Sequence, residues 1–376
     1  MNRSYKFRIY PNDSQQIQIQ KTFGCCRYIW NHFLCLRNKT YEENKTYEEK
    51  KSYMTYNSCS RELTKLKKEL EWLQEPDAHA LQASLQNLDM AFQNFFRKVK
   101  LGDTLGYPRF KSKKNRSMSY TTKYVAGNNI QIVSNFVKLP KLGSVKFRGR
   151  CDISGRILNA TISQVPSGKY YCSICCTDVE PKVLPITGNS IGLDLGINKL
   201  ITTSNGKTYK NHRHLKQYEL KLANAQRVLS RKVKGSKNWN KARIKVAKIY
   251  EKITNQRYDT LHKVTSSLVN TNDIICIEDL DIQSMKTKYK DINKSIYDTA
   301  LGELVRQLEY KCEWYGRTLQ KVDRYYPSST TCNNCGNRGD VGLRLKHWTC
   351  DSCGIQHHRD YNAAKNILKE GLRLIG

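Results

Sequence analysis

Four cysteines near the C-terminal end of the sequence have the spacing of a metal site. Cys332 and Cys335 form one C-x-x-C pair, and Cys350 and Cys353 form a second pair after fourteen intervening residues. Two thiolates separated by two residues on a tight turn can reach one ion, and two such pairs complete the tetrahedral shell of Zn²⁺. A glycine follows the second cysteine of each pair, as this turn favours. The sequence therefore predicts a closed zinc site with four thiolate ligands and a structural role.

A second cysteine group has a different interpretation. Cys172, Cys175 and Cys176 lie in a segment with the pattern of a strand. Residues three apart on a strand point to opposite faces, so Cys172 and Cys175 are not expected to reach one ion. We interpret these residues as core or surface thiols.

Three acidic residues follow or interrupt apolar segments. Asp194 lies inside the short run IGLDLG, Glu278 ends the run DIICIE and is followed by Asp279, and Asp360 begins a predicted C-terminal helix in the segment RDYNAAKNIL. A carboxylate in an apolar strand conflicts with burial unless it is paired or binds a cation. Each acid alone also has a structural explanation. Asp360 could cap a helix, Glu278 and Asp279 could form a polar strand end, and Asp194 could be a loop acid beside a glycine turn.

Taken together, the acids have an order that favours catalysis. RNase H-like nucleases use the same order of acids. They have an acid on a first strand, an acid at the end of a later strand and an acid at the start of a last helix. Hard cations such as Mg²⁺ prefer oxygen ligands. In two-metal catalysis one ion activates water and the other stabilises the leaving oxygen. We therefore predict that Asp194, Glu278 and Asp360 hold two Mg²⁺ ions.

The charge balance predicts a polyanionic partner. The 376 residues include 65 Lys and Arg against 33 Asp and Glu, a formal net charge of +32. Such an excess is typical of proteins that bind nucleic acid. The sequence has no apolar run of membrane-spanning length and no signal-peptide pattern at its start, which argues against a membrane or secreted protein. The length suggests two or three domains.

One segment concentrates the positive charge. Between Gly206 and Lys263 there are 17 Lys and Arg against 3 Asp and Glu. Apolar spacing predicts two helices here, with a turn near Gly235. A solvated helix face is the ordinary explanation of a charged run, but the single sign favours contact with phosphates. Candidate contacts are Arg231, Lys232 and Lys234.

The first half of the chain has three kinds of pattern. The first ten residues alternate like a strand, and a helix is predicted after Pro11 through Leu36. Further helical patterns cover Ser60–Leu73 and the segment from Ala80, where an apolar stripe extends to Val99. After Gly106 the pattern changes to short strands with turn signals, which predicts an antiparallel barrel or sandwich.

The second half begins after a predicted linker, Pro181–Gly188. A new domain opens at Ser190 with a strand, a turn and a strand. The basic helices, a buried strand over Ile274–Ile277, a further helix and the four-cysteine region follow. These elements have to bring Asp194, Glu278 and Asp360 together.

Long ordered motifs make the chain resemble the TnpB family, the RNA-guided nucleases encoded by bacterial and archaeal transposons, and the related type V CRISPR effectors. The resemblance covers nearly the whole chain. The motifs that carry it are GYPRFK (106–111), IGLDLGI (191–197), IEDL (277–280), LEYKCEWYGRTL (308–319), YYPSSTTCNNCG (325–336), WTCDSCG (348–354) and RDYNAAKNI (359–367).

The resemblance implies a multidomain protein with α+β and α/β parts. It assigns Asp194, Glu278 and Asp360 to a RuvC-like active site, whereas Asp279 is not a ligand in the family. The four cysteines match a zinc-bearing nucleic-acid-binding insert. The implied domains are a wedge β-barrel (1–10 and 106–185), a helical recognition lobe (11–105), a RuvC-like nuclease domain (186–330 and 355–376) and a zinc ribbon (331–354).

The resemblance also implies a function. It predicts a Mg²⁺-dependent, RNA-guided DNA endonuclease of a transposon, in which guide RNA pairs with the target strand and the protein recognises a short adjacent DNA motif. The implied partners are a transposon-encoded guide RNA and double-stranded target DNA, with one protein monomer per RNA. The implied location is the prokaryotic cytoplasm, at the nucleoid. Alternatives are a non-catalytic RNA-guided DNA-binding repressor, a guide-free nuclease or transposase of RNase H fold, and a zinc-ribbon RNA-binding protein whose acids are structural.

Six residues of the first half are candidate nucleic-acid contacts. Tyr56 and Gln82 are placed in the lobe as DNA-facing residues, since glutamine can make a bidentate contact with adenine. The basic segment entering the barrel is expected to contact phosphates. Its candidates are Arg109, Lys111, Lys113 and Lys114.

Overall fold

The computed structural model describes residues 1–46, 54–102, 106–114, 118–125, 127, 129–149, 152–281, 284, 293–339 and 345–376. They form two compact units, Met1–Glu180 and Pro181–Gly376. The second unit therefore begins where the predicted linker begins. Part of the repeated NKTYEE segment and residues 340–344 of the predicted zinc ribbon lie outside the described residues.

The first unit is built on one antiparallel sheet of seven strands in the order β2-β6-β7-β1-β5-β4-β3. The first strand pairs with β7 on one side and β5 on the other, so the N-terminal residues belong to the middle of a sheet formed otherwise by residues 118–177. In the pairing of the described residues, β2 and β3 are the edge strands. The strands are β1 (Arg3–Tyr10), β2 (Met118–Lys123), β3 (Gln131–Val133), β4 (Phe136–Leu139), β5 (Gly143–Phe147), β6 (Arg156–Gln164) and β7 (Tyr170–Thr177).

Helices lie between the first two strands in the described part of the chain. They are α1 (Asp13–Thr46), α2 (Tyr56–Glu69), a 3-10 turn (Glu71–Gln74) and α3 (Ala78–Lys100). The first of these continues past Leu36, so its predicted end was wrong. Apolar residues of α3 up to Phe92 join one hydrophobic core with α1 and the sheet, whereas Val99 at the end of the predicted stripe is 51% exposed.

The second unit contains a five-stranded sheet in the order β10-β9-β8-β11-β12. Its central strands β8, β11 and β12 are parallel, and β9 and β10 extend it as antiparallel neighbours. The carboxyl ends of the three parallel strands therefore lie at one edge of the sheet. The strands are β8 (Ser190–Leu195), β9 (Lys199–Thr203), β10 (Thr208–Lys210), β11 (Ile274–Glu278) and β12 (Thr318–Val322).

Helices cover both faces of this sheet. The helices are α4 (His214–Gln217), α5 (Glu219–Ser230), α6 (Lys237–Thr271), α7 (Asn293–Thr299), α8 (Leu301–Tyr315) and α9 (Arg359–Ile375). Residues of α6 and α8 pack with Leu193 and Ile277 in one cluster, while Ile367 of α9 packs with Cys276 and Val322 in another. Because neighbours along a strand point to opposite faces, the two clusters lie on opposite faces of the sheet.

Two short strands stand beside the cysteines. They are β13 (His347–Thr349) and β14 (Gln356–His358), which pair antiparallel. The second strand runs directly into α9. The cysteine region is thus continuous with the helix that carries Asp360.

Candidate active site and cysteine cluster

Two of the predicted acids stand side by side on the face of the sheet that α9 covers. Strands β8 and β11 are in register at Leu193 and Ile277, and Asp194 and Glu278 are the next residues of each strand. Leu193 and Ile277 face α6 and α8. Alternation along a strand therefore turns Asp194 and Glu278 to the other face. Adjacent parallel strands lie about 4.8 Å apart, so the two carboxylates are neighbours.

A close approach of α9 to the sheet brings the third acid to this face. A methyl group added at Gly192 would lie 2.1 Å from the carbonyl oxygen of Ala364, and one added at Gly371 would lie 2.4 Å from Sγ of Cys276. Only glycine at these two positions permits such contact between strand and helix. Asp360 is in the first turn of α9 and is half-buried. The glycines therefore let the helix carry Asp360 to the other two acids.

The charges of Glu278 and Asp360 act on the Asp194 carboxyl group. Burial raises the pKa of Asp194 to about 7, and the charges of Asp360 and Glu278 contribute further, while Arg359 opposes the shift. Burial also raises the pKa of Glu278. Arg359 forms an ion pair with Asp360 at 3.3 Å between Nη2 and Oδ1. The site thus holds more negative charge than it neutralises, which is the condition that a bound dication relieves.

Two of the structural explanations for these acids do not fit the geometry. Asp279 forms an ion pair with Arg324, with 2.8 Å between Oδ2 and Nη2. Glu278 and Asp279 therefore do not act together as a polar end of the strand. The residue at the N-cap of α9 is His358, and Asp360 is the second residue of the helix. Asp360 is therefore not the helix cap.

The four cysteines form a compact cluster. The Sγ atoms of Cys332, Cys335, Cys350 and Cys353 all lie within 4.8 Å of one another. The Sγ atoms of Cys332 and Cys353 are 3.7 Å apart, and those of Cys335 and Cys350 are 3.6 Å apart. Ligands at the usual Zn–S bond length stand about 3.8 Å from one another in a tetrahedron. The geometry fits one zinc ion, and the separations are too long for disulfide bonds.

A buried histidine supports this cluster. Nε2 of His357 lies 3.1 Å from Sγ of Cys332, within hydrogen-bonding distance. His357 belongs to β14 and its ring packs on Trp348. No sequence pattern placed His357 beside a particular cysteine, because the contact depends on the pairing of β13 with β14.

The basic candidates of the second unit lie on exposed surface. Arg231, Lys232 and Lys234 occupy the exposed loop between α5 and α6. The structure adds a groove between these helices, with a volume of about 740 Å³, that the sequence did not single out. Its polar lining includes Tyr218, Lys221, Asn224, Lys245, Lys248 and Lys252.

The predicted DNA-facing residues of the first unit are only partly brought together. Tyr56 lines a cavity of about 450 Å³ between α3 and strands β2 and β6. Its hydroxyl oxygen accepts a hydrogen bond from Nε2 of Gln86 at 3.1 Å. Gln82 is half-buried one turn earlier and is not among the described residues that line this cavity. Helical periodicity alone could not choose between two glutamines four residues apart.

The basic segment before β2 is anchored on α1. The Arg109 carbonyl accepts a hydrogen bond from Nε1 of Trp30, and Nζ of Lys111 lies 3.8 Å from the centre of the Trp30 ring. Burial lowers the pKa of Lys111. Its ammonium group is therefore held against an aromatic ring, although Lys111 as a whole residue is exposed, as Lys113 and Lys114 are.

Comparison with known proteins identifies the family. The model described as "Probable transposase" (OrfB_IS605) matches residues 173–288, and the Cas12f1-like TNB domain model matches 302–367. A Streptomyces pristinaespiralis protein named "Putative RNA-guided DNA endonuclease" is 38% identical, over 99% of this chain and 90% of that protein. The chain belongs to the TnpB family. Its Escherichia coli K12 relative InsQ, which bears the same description, is 32% identical over 98% of this chain and 92% of that protein.

Solved structures agree with the fold of this TnpB family member. A Cas12f1–sgRNA–target DNA complex matches with a TM-score of 0.51 at 12% identity, over 98% of each chain. Cas_phi3, described as a mini-RNA-guided endonuclease, matches with a TM-score of 0.50 at 11% identity, over 99% of this chain and 92% of that one. These likenesses establish a shared mixed α/β fold.

One family model carries a description that the structure does not reproduce. The model that matches residues 1–46 is described as a helix-turn-helix domain. In this TnpB family member the same residues form strand β1 and the single long helix α1. Among the residues that the structure describes, no helix combines the length and apolar character needed to cross a membrane.

Proposed function

We propose that this protein is an RNA-guided DNA endonuclease that hydrolyses phosphodiester bonds of target DNA. The observation that carries the proposal is the convergence of Asp194, Glu278 and Asp360, from two strands and a helix, on one face of the sheet in the second unit. The names of the relatives from Streptomyces pristinaespiralis and Escherichia coli support the same activity.

The three acids are the proposed catalytic ligands. Three partly buried carboxylates, of which Glu278 and Asp360 help to raise the pKa of Asp194, suit a pair of Mg²⁺ ions, since hard cations prefer oxygen ligands and offset the repulsion. The two ions, when bound, supply an activated water and stabilise the leaving oxygen. Asp194 and Glu278 provide ligands from a rigid sheet, and Asp360 provides one from the helix above it. Arg359 balances part of the negative charge in the absence of metal.

The domain assignment is proposed from the same likeness. Residues 1–10 and 106–185 form the proposed wedge barrel, and 11–105 the recognition lobe. Residues 186–330 and 355–376 form the proposed RuvC-like domain, with 331–354 as a zinc ribbon. The place of β1 inside the sheet of β2–β7 supports the first assignment. The four neighbouring thiolates support the last.

Two surfaces are proposed to bind nucleic acid. The first is the lysine groove between α5 and α6 together with the loop of Arg231, Lys232 and Lys234. Its closely spaced positive charges suit the phosphates of a guide–target duplex. The cavity beside Tyr56 and Gln86 offers an aromatic ring and an amide that suit contact with DNA bases. A guide RNA encoded by the transposon is the proposed source of target specificity.

The replacement Asp194→Ala tests the proposal. In complex with guide RNA, the variant should bind target DNA normally and lose cleavage by at least about a thousand-fold, because metal ions supply several kcal/mol of transition-state stabilisation. Single-turnover cleavage and gel-shift binding measure the two properties. Asp279→Ala is the matched control, since Asp279 is paired with Arg324, and it should keep cleaving.

Three outcomes would contradict the proposal. Cleavage without any guide RNA would indicate a guide-free nuclease or transposase. Guide-dependent binding by the wild-type protein without cleavage at any Mg²⁺ concentration would indicate a repressor. Full cleavage by Asp194→Ala would exclude the carboxylate site as the catalytic centre.

A further inference from the structure

Helix α9 carries two buried asparagines just after Asp360. Asn362 is 1% exposed and Asn366 is 2% exposed. They are four residues apart and therefore lie on one face of the helix, one above the other. A buried amide needs hydrogen-bond partners, and the partners of both asparagines lie in the cysteine region.

The hydrogen bonds of these asparagines bind the helix to the first cysteine pair. Nδ2 of Asn366 donates to the carbonyl oxygens of Ser328 and Thr331, at 2.8 and 2.6 Å. Nδ2 of Asn362 donates to the Thr331 carbonyl at 2.7 Å. Oδ1 of Asn362 accepts from the backbone N–H and the side-chain amide of Asn333, at 3.0 and 2.7 Å. Thr331 and Asn333 are the immediate neighbours of Cys332.

A second connection reaches the helix from the other direction. Nε2 of His357 lies 3.1 Å from Sγ of Cys332, and Nδ1 lies 3.4 Å from Nδ2 of Asn333. His357 precedes Asp360 by three residues on β14, which continues into α9 without a loop. The backbone N–H of Arg359 donates to the carbonyl of Lys346, near the second cysteine pair. Both sides of the Asp360 turn are therefore attached to the cysteine region.

The start of α9 has no local support of the usual kind. The N-cap residue His358 makes no side-chain capping bond in the part of the chain that the structure describes. Tertiary contacts must therefore hold the first turn, which includes Asp360. Asn362, Asn366 and His357 supply such contacts.

We propose that Asn362 and Asn366 are positioning residues that couple the cysteine cluster to Asp360, so that metal in the cluster fixes the geometry of the carboxylate site. The proposal rests on the proposed nuclease function. Four thiolates this close are held in place by a bound ion, and its loss releases the loops that carry them. Release of Ser328–Asn333 removes the partners of both asparagines, and the first turn of α9 is then free to shift. The zinc cluster is thus a support of the active site as well as of its own loops.

Hydrogen–deuterium exchange tests this coupling without any cleavage. The variants Asn362→Leu and Asn366→Leu keep side-chain size and remove the hydrogen bonds. In the zinc-loaded, RNA-bound protein, we expect faster exchange over residues 356–364 and unchanged exchange in β8 and β11. Removal of zinc from the wild-type protein by a chelator should give the same local change. Asn334→Ala, at an exposed position of the same cysteine loop, is the control.

The Mg²⁺ dependence of cleavage is the second measurement. Loss of supporting contacts around a metal ligand typically weakens metal affinity by about 10- to 100-fold. The leucine variants should require at least about ten-fold more Mg²⁺ for half-maximal single-turnover cleavage, with zinc content and target binding unchanged. Asn362→Asp retains the acceptor of the Asn333 N–H and should fall between the wild-type protein and Asn362→Leu.

Two results would overturn the coupling. The first is that leucine variants which keep their zinc show the same exchange over residues 356–364 and the same Mg²⁺ dependence as the wild-type protein. If these variants fail to fold, the zinc-depleted wild-type protein decides, and an unchanged Mg²⁺ requirement refutes the proposal. Failure of the nuclease function itself is distinguishable, because the wild-type protein would then not cleave, while the exchange experiment would still report on the helix.

Discussion

The cysteine cluster and the carboxylate site belong to the same unit but are assembled in different ways. Each half of the cysteine cluster is a local turn, in which two ligands are three positions apart along the chain. The carboxylate site takes one residue from each of three elements, β8, β11 and α9. A local site depends on turn geometry, whereas a dispersed site depends on strand order and helix packing.

The two sites also differ in what their ligands do to stability. Thiolates bound to zinc contribute metal-binding free energy to the fold. The acids do the opposite in the metal-free protein, because burial and mutual repulsion raise the pKa of Asp194 to about 7. A metal ion in the first site would stabilise the loops around it, whereas the second site is a source of electrostatic destabilisation in the metal-free protein.

The largest expected effect comes from removing ligands of the cysteine cluster. The double variant Cys332→Ser, Cys350→Ser should lose its bound zinc, and the loops around Cys332 and Cys350 should unfold locally because metal binding contributes free energy to their folding. Elemental analysis and limited proteolysis measure the two effects. Cys175→Ser, in the half-buried strand position of β7, is the control and should keep zinc. Unchanged zinc content in the double variant would remove the zinc assignment.

A smaller effect is expected from Gly192→Ala, which tests how the dispersed site is assembled. The added methyl group would meet the Ala364 carbonyl at 2.1 Å, so α9 must move away from β8. Overpacking of this kind costs about 1–3 kcal/mol, and the shift of Asp360 should also lower cleavage. Chemical denaturation and single-turnover cleavage measure both losses.

The matched control for this change is Gly24→Ala. Gly24 lies inside α1, where an added methyl group meets nothing within 4 Å. Alanine in a helix interior stabilises by about 0.5–1 kcal/mol relative to glycine. A Gly192→Ala variant as stable and active as the wild-type protein would show that close contact between β8 and α9 does not determine the position of Asp360.

The smallest expected effect is a pH-dependent gain in stability for Asp194→Asn. Because the pKa of Asp194 is about 7 in the folded protein, folding is more favourable when this carboxyl group is protonated. Metal-free wild-type protein should therefore lose stability as pH rises from the usual carboxylate range to about 7, and the loss should level off above it. Asparagine does not ionise, so the variant should melt a few degrees higher at pH 8 and equally at pH 4.

Differential scanning calorimetry in a chelating buffer measures this difference. Saturating Mg²⁺ should reverse the order, because only the wild-type protein has the complete set of ligands. Equal melting temperatures of the two proteins at pH 8 would mean that burial and neighbouring charges do not destabilise the ionised form of Asp194.

Local features of the site were predictable from the sequence. Each C-x-x-C pair specifies its own turn, and the alternation around Asp194 and Glu278 specifies two strands with an acid at or near the end. A helix was also expected in the segment RDYNAAKNIL. In these cases the signal lies within ten residues, which is the range of the local forces that form turns, strands and helices.

Contacts between distant segments were not predictable in the same way. Gln86 rather than Gln82 meets Tyr56 because α2 and α3 pack at a particular rotation. The helix α1 continues beyond Leu36, where composition suggested an end. The roles of Asn362 and Asn366 were not visible, since their partners are backbone carbonyls that any sequence possesses.

The sequence by itself determined the chemistry of this protein. Its acids, its thiolates and its excess of positive charge predict sites for hard cations, zinc and nucleic acid, because ligand preference and charge are properties of side chains. Only the tertiary structure decided which acid faces which. Parallel pairing of β8 with β11 turned Asp194 and Glu278 to one face, and two glycines let α9 bring Asp360 to it. The register of the paired strands and the close packing of helix on sheet arise from contacts between distant segments of the unit. No single segment of the sequence encodes those contacts.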